Sequence, residues 1–145
     1  MGVRKMDHVG IIVRELDPSV AFFTALGLTA EKPMTVEGAF AGQVNGLPGS
    51  SAEIVALRTS DGETWLELTR FVSPVDDLAP ELAPSNRLGI RHFALVVDDL
   101  DAAVAAVREL GYDLVAELVD YEGIYRLCYV RGPEEIIVEL AQELR

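Results

Sequence analysis

The sequence predicts an α+β fold built from two βαβββ modules, each an open curved sheet with a helix on one side. Three observations carry this. The stretch Asp7-His8-Val9-Gly10-Ile11-Ile12-Val13 returns at a spacing of 84 as Arg91-His92-Phe93-Ala94-Leu95-Val96-Val97. The matches continue through Leu16/Leu100, Asp17/Asp101, Val20/Val104, Ala21/Ala105, Leu26/Leu110 and Gly27/Gly111. Near the end of each copy a spacing of 72 takes over, pairing Glu63 with Glu135, Glu67 with Glu139 and Leu68 with Leu140. A repeat of this length marks a duplicated structural unit. The modules span about 5–71 and 89–142 of a single 1–145 domain, with a linker at 72–88.

The elements follow in order. Residues 6–13 read as a largely buried strand, with His8, Gly10 and Ile12 on one face and Val9, Ile11 and Val13 on the other. Asp17-Pro18 suits a helix start, Asp as N-cap and Pro at the first helical position. That helix runs to about Leu26, with Val20, Phe23 and Leu26 turned to the sheet and Gly27 as its left-handed stop. A short edge strand over 28–34 ends at Pro33. Residues 35–50 have no counterpart in the second copy, and 37–44 read as a short helix. Such an insertion can be a lid or pocket wall, or simply an insertion. Strands 52–59 and 63–71 flank the hairpin turn Asp61-Gly62. In the second copy come strand 89–97, a helix capped by Asp98-Asp99 and running to Leu110, strand 113–119, a turn at Tyr121-Glu122-Gly123, and strands 124–131 and 135–141. Val104, Val107 and Leu110 form the inward face of the second helix.

Composition narrows the class. At 145 residues and half apolar, the chain is long enough to bury a real core and is not a disordered segment. Its formal charge of −12, with ten Arg and two Lys scattered along it, argues against nucleic acid as a partner. No apolar run approaches the ~20 residues that span a bilayer, so no membrane association is expected. The single Cys128 excludes an internal disulfide framework and suits a reducing compartment, hence an expected cytoplasmic location. With no histidine left to activate it, Cys128 reads as a packed strand residue. Exposed open sheets predict a homodimer.

The chemistry rests on four side chains. The only two histidines, His8 and His92, occupy one repeat position, and Glu67 and Glu139 occupy another. Each glutamate sits between apolar neighbours in a final strand, where a carboxylate needs a hydrogen-bond partner or a cation. Taken singly, a strand histidine is more often a core or edge residue, and a strand glutamate more often solvent-facing. The coincidence of both pairs in the repeat is what favours ligation. Two imidazoles and two carboxylates suit one divalent metal ion, Zn, Ni, Co, Mn or Fe, without choosing among them. Trp65, Tyr125 and Tyr129 are candidates to line a pocket for a small-molecule substrate, although strand aromatics more often pack the core. Arg58, Arg70, Arg87 and Arg126 are candidates to hold an anionic group, Arg126 foremost.

These segments resemble the vicinal oxygen chelate superfamily: glyoxalase I, methylmalonyl-CoA epimerase, extradiol dioxygenases and the fosfomycin- and bleomycin-resistance proteins. The resemblance covers about residues 5–142 and is carried by Asp7-His8-Val9-Gly10-Ile11, Leu26-Gly27-Leu28, Arg91-His92-Phe93-Ala94, Val97-Asp98-Asp99-Leu100-Asp101 and Val138-Glu139-Leu140. It implies a cup-shaped mixed sheet with the helices outside. It also implies that His8, Glu67, His92 and Glu139 are the metal ligands, with Glu139 as catalytic base and Glu67 opposite it. The implied reaction is proton abstraction alpha to a carbonyl through an enediolate, as in an isomerase or lyase of glyoxalase or epimerase type. Drug or metabolite sequestration of the bleomycin-resistance kind is the alternative, with ring cleavage third. Members of the family often end the last hairpin with Asp-Pro-(Asp/Glu)-Gly; here Gly132 precedes Pro133, and Glu135 stands where the later glycine is expected.

Overall fold

The repeat folds twice into the same strand pairing. A computed structural model describes all residues, Met1–Arg145. The chain divides into two compact units, Met1–Leu78 and Ala79–Arg145, with the boundary inside the expected linker. No helix is long and apolar enough to cross a membrane.

In the first unit, strand β1 (His8–Ile12) leads to helix α1 (Leu16–Ala25), the short strand β2 (Thr29–Ala30), strand β3 (Met34–Glu37), helix α2 (Ala39–Asn45), and the hairpin β4 (Ser51–Arg58) and β5 (Trp65–Ser73). The sheet order is β1-β5-β4-β2, with β3 also paired to β4. β1 runs parallel to β5 and the other pairings are antiparallel, so the sheet is mixed. The second unit has β6 (His92–Val96), α3 (Leu100–Glu109), β7 (Asp113–Leu114), β8 (Val119–Tyr121), β9 (Tyr125–Arg131) and β10 (Ile137–Glu143). Its order, β6-β10-β9-β7 with β8 on β9, repeats the first, including the parallel β6/β10 pair.

The two main helices stop in the same way. The Gly27 N–H donates to Thr24 and the Leu28 N–H to Phe23; 84 residues on, Gly111 donates to Arg108 and Tyr112 to Val107. Both glycines have positive φ, 103° and 93°, which a side chain would strain. The starts differ. Asp99 caps α3 as expected, accepting from the Ala102 N–H at 3.0 Å, and the Gln142 amide oxygen accepts from the Leu100 N–H at 2.8 Å. Asp17 is not a cap: α1 begins one residue before it, behind an extended Glu15 that makes no side-chain cap. Asp17 instead supplies negative charge in the first turn, where the helix dipole favours it.

Packing corrects the expected helix faces. Ser19, Phe22 and Phe23 are the buried side chains of α1, and Val20 and Leu26 are only half-buried. The Phe22 and Phe23 rings meet edge to face at 5.0 Å, and α1 packs on β4 and β5, whose Val55, Leu57, Leu66 and Leu68 are buried. Ser19 is tolerated there because its hydroxyl donates to the Glu15 carbonyl at 3.0 Å. On α3, Leu100, Ala103, Val104 and Val107 face inward, while Leu110 is exposed. Two expected strands are shorter than predicted, and a further strand follows each. The 28–34 strand is only β2, and β3 opens the stretch expected to have no counterpart, pairing with β4 as β8 pairs with β9. The 113–119 strand is only β7, and β8 runs from Val119 into the expected turn.

The insertion does contain a helix, α2, bounded by Gly38 and a left-handed Gly46. Within it, a Cβ at Gly42 would lie 2.9 Å from the Pro48 Cα and 3.0 Å from the Leu47 carbonyl oxygen. Alanine normally improves a helix by about 1 kcal/mol over glycine. Here backbone would have to move, so Gly42→Ala should lower stability by about 1–3 kcal/mol, read as a reduced urea midpoint.

Candidate functional site

Register places each histidine beside its glutamate. In the parallel pairs, His8 lies opposite Trp65 and His92 opposite Ile137. The glutamates come two residues later on β5 and β10, on the same face by strand alternation. In the first unit His8 Nε2 is 3.4 Å from Glu67 Oε2; in the second, His92 Nε2 is 3.7 Å from Glu139 Oε1. All four side chains are partly open, 22–37% exposed, so a small ligand can reach them. The residues paired with Glu67 on either side are Gly10 and Ala56, and nothing lies within 4 Å of where a Gly10 Cβ would be. That leaves room over the carboxylate. Ala94 holds the position matching Gly10 beside Glu139.

The neighbours of the two imidazoles differ. Trp65 stacks on His8 with ring centroids 5.0 Å apart and planes 17° from parallel. The Arg58 guanidinium covers the Trp65 ring at 4.5 Å, and Glu31 pairs with Arg58. Asp7 Oδ2 lies 2.9 Å from His8 Nδ1, a hydrogen bond that holds the Asp7 carboxyl below the ordinary carboxylate range. In the second unit Tyr129 tilts against His92 at 4.6 Å, its hydroxyl 3.4 Å from Nε2. Arg91 stands where Asp7 does in the first copy. It donates to the Leu88 carbonyl through Nη2, and its Nε is buried without a partner.

Several expected substrate contacts lie elsewhere. Trp65 is at the site face. Tyr125 shares the face of Glu139 and Tyr129 but sits four residues along β9 from Tyr129, about 13 Å at ~3.3 Å per residue. Tyr129 is therefore the tyrosine beside the histidine. Arg126 is on the opposite face, where the Asp101 carboxylate of α3 accepts from its Nη1 and Nη2 at 3.1 and 3.0 Å. This pairing raises the Arg126 pKa and lowers that of Asp101. The other candidate arginines also have carboxylate partners: Arg58 with Glu31, Arg70 with Glu53, and Arg87 with Glu81. Strand alternation alone separates Arg126 from Glu139, but the cross-strand register needed to apply it comes from the fold.

A groove of about 770 Å³ lies on the helix side of the first sheet, lined by Arg14, Asp17, Glu31, Glu53, Val55 and Arg70 among others. Its strand residues face away from Glu67, since Glu53 pairs with Arg70 and Val55 with Leu68. Size alone does not make it the reactive site: it contains no histidine, and Arg70 is held by Glu53 at 3.0 Å.

The donor chemistry fits a cation. Asp7 accepts a hydrogen from His8 Nδ1, which leaves Nε2 of the neutral ring as a lone pair facing a carboxylate oxygen. A divalent cation takes such a nitrogen and such an oxygen together, as a hydrogen on Nε2 would also join them. Each unit offers one imidazole and one carboxylate, only the first with an acceptor on Nδ1, and no group of three or more His, Cys, Asp and Glu able to hold a metal forms within either unit. Cys128 takes no part. It is buried in β9, and burial pushes its thiol pKa up. Native protein should therefore resist a thiol reagent at neutral pH, with labelling appearing only on unfolding, as mass spectrometry would show.

Comparison with known proteins agrees with the fold. Residues 7–129 match the model of the Glyoxalase/Bleomycin resistance protein/Dioxygenase superfamily. The crystal structure of a glyoxalase family protein from Bacillus cereus is 41% identical, with a TM-score of 0.94, covering 100% of this chain and 97% of that one. The trypanothione-dependent glyoxalase I of Leishmania major shares the fold at 24% identity and a TM-score of 0.65, over 97% of this chain and 88% of that one. The uncharacterized protein YwbC of Bacillus subtilis is 26% identical over 142 residues, 96% of this chain and 98% of YwbC.

Proposed function

We propose a function from the premise that this chain belongs to the glyoxalase/bleomycin resistance protein/dioxygenase superfamily: it is a metal-dependent isomerase or lyase that moves a proton alpha to a carbonyl. The observation that supports this most is the duplicated His–Glu pair, with Nε2 turned to a carboxylate oxygen in both units. His8, Glu67, His92 and Glu139 would supply two nitrogen and two oxygen ligands to one divalent ion, Zn, Ni, Co, Mn or Fe. Such an ion supplies Lewis-acid polarisation of a substrate oxygen.

The chain's own residues do the rest. Glu139 takes the proton from the carbon beside the carbonyl and can return it to a neighbouring position. Glu67 stands as its counterpart, with Gly10 and Ala56 leaving space for the substrate. Trp65 holds one flank through its stack on His8. The Tyr129 hydroxyl, within reach of His92 Nε2, can donate a hydrogen bond to an oxygen seated there.

Purified protein, stripped by chelator and reloaded, should take up one divalent ion per four-ligand set and catalyse solvent-deuterium incorporation into a hemithioacetal or a methylmalonyl thioester. Glu139→Gln should cut that exchange by at least about 100-fold, the usual contribution of a positioned acid–base group. Exchange that persists in Glu139→Gln, or none from wild type with any trial carbonyl, would remove the reading.

Sequestration of a small molecule without chemistry is the second reading. Refusal of every divalent ion by wild type would select it. We also infer a homodimer: Ile12 and Val96, at matching repeat positions, are 63% and 64% exposed. Sedimentation equilibrium should give twice the 15.8 kDa chain mass, and a monomer at micromolar concentration would refute this.

A further inference from the structure

We propose that Asp7 is a positioning residue: it fixes the tautomer of His8 and so makes the first His–Glu pair ready to accept a cation. Three contacts carry this, and it rests on the metal-binding reading above. Asp7 Oδ2 is 2.9 Å from His8 Nδ1. A carboxylate only accepts, so Nδ1 must bear the hydrogen. In the neutral ring the lone pair then belongs to Nε2, the nitrogen 3.4 Å from Glu67 Oε2. Which nitrogen is available to a metal is set by the hydrogen bond the other makes.

The ring plane is fixed as well. Trp65 lies flat on the imidazole at 5.0 Å. Trp65 is in turn covered by Arg58 at 4.5 Å, whose Nη1 reaches the Gly62 carbonyl at 3.5 Å and whose Nε pairs with Glu31. Asp7 thus sets the proton, and the Trp65–Arg58 stack sets the orientation. Asp7 can do this because it precedes the first residue of β1. Within a strand, neighbouring side chains point to opposite faces; just outside it, the backbone is free to turn the carboxylate back. The second copy lacks the device: Arg91 occupies the matching position, and a guanidinium cannot accept a hydrogen from His92.

The chain has only two histidines, so their ring nitrogens can be read directly by long-range proton–nitrogen NMR correlation, with His8→Gln assigning them. At a pH of about 8.5, well above the ordinary histidine pKa of about 6.5, metal-free wild type should show His8 with its hydrogen on Nδ1. Asp7→Ala should shift it toward the Nε2–H form, with unchanged melting temperature. Zinc affinity should fall by about 10–100-fold, the usual cost of losing such a partner. Asp7→Asn, whose amide oxygen still accepts, should keep the tautomer and most of the affinity. Arg91→Ala should leave the His8 signals in place. The proposal fails if wild-type His8 carries its hydrogen on Nε2, or if Asp7→Ala retains the wild-type tautomer. Failure of wild type to bind zinc, nickel, cobalt or manganese would remove the proposed function alone, because the tautomer comparison needs no metal.

Discussion

Parallel pairing of the first and last strands of each repeat is the constraint on which the rest depends. It sets His8 against Trp65 and His92 against Ile137, and thereby brings each imidazole to the glutamate two residues further along. The pairing is held by the opposite face of the same strands. Leu66 and Leu68 in the first unit, and Val138 and Leu140 in the second, are buried to 4% exposure or less. A slip of one residue would turn these three leucines and the valine to water and the glutamates into the core. Burying them is worth roughly 1.5–3 kcal/mol each, so the apolar face enforces the geometry of the polar one.

The duplication is faithful in backbone and divergent at the site. Both units keep the same sheet order, the same Schellman stop and the same His–Glu diagonal. The ring beside each histidine comes from a different strand: Trp65 from β5 directly opposite His8, Tyr129 from β9, where it is paired with Glu139. The residue preceding each histidine is an acid in one copy and a base in the other. Duplicated folds impose equal placement on the ligands, since each must lie on the sheet face. They impose nothing on what surrounds the ligands, and there the two halves acquire different chemistry.

Much of this was legible before any coordinates. The glycine stops and the Asp61-Gly62 turn follow from local rules, because each depends on a few adjacent residues. In that turn the Asp61 carboxylate accepts from Thr59 and from the Glu63 N–H, as an Asx turn should. Glu135, in place of the expected glycine, adopts φ 68°, and Glu134 before it φ 52°, both in the left-handed region that side chains disfavour. The start of α1 was misplaced because Asp17-Pro18 is equally suited to the first turn as to its boundary. The partners of the arginines were not legible, since Asp101 is 25 residues from Arg126 and Glu31 is 27 from Arg58.

The sequence by itself determined the duplication, the two βαβββ plans and the identity of the four candidate ligands, since repetition and alternation are properties of the chain's order. Tertiary structure alone decided which residues meet. Cross-strand register joined each histidine to its glutamate, withdrew Arg126 to the helix side and chose Tyr129 over Tyr125. Asp7 became a partner of His8 only because its backbone lies just outside the strand. Such contacts depend on register and on side-chain direction in three dimensions, which no local pattern of residues encodes.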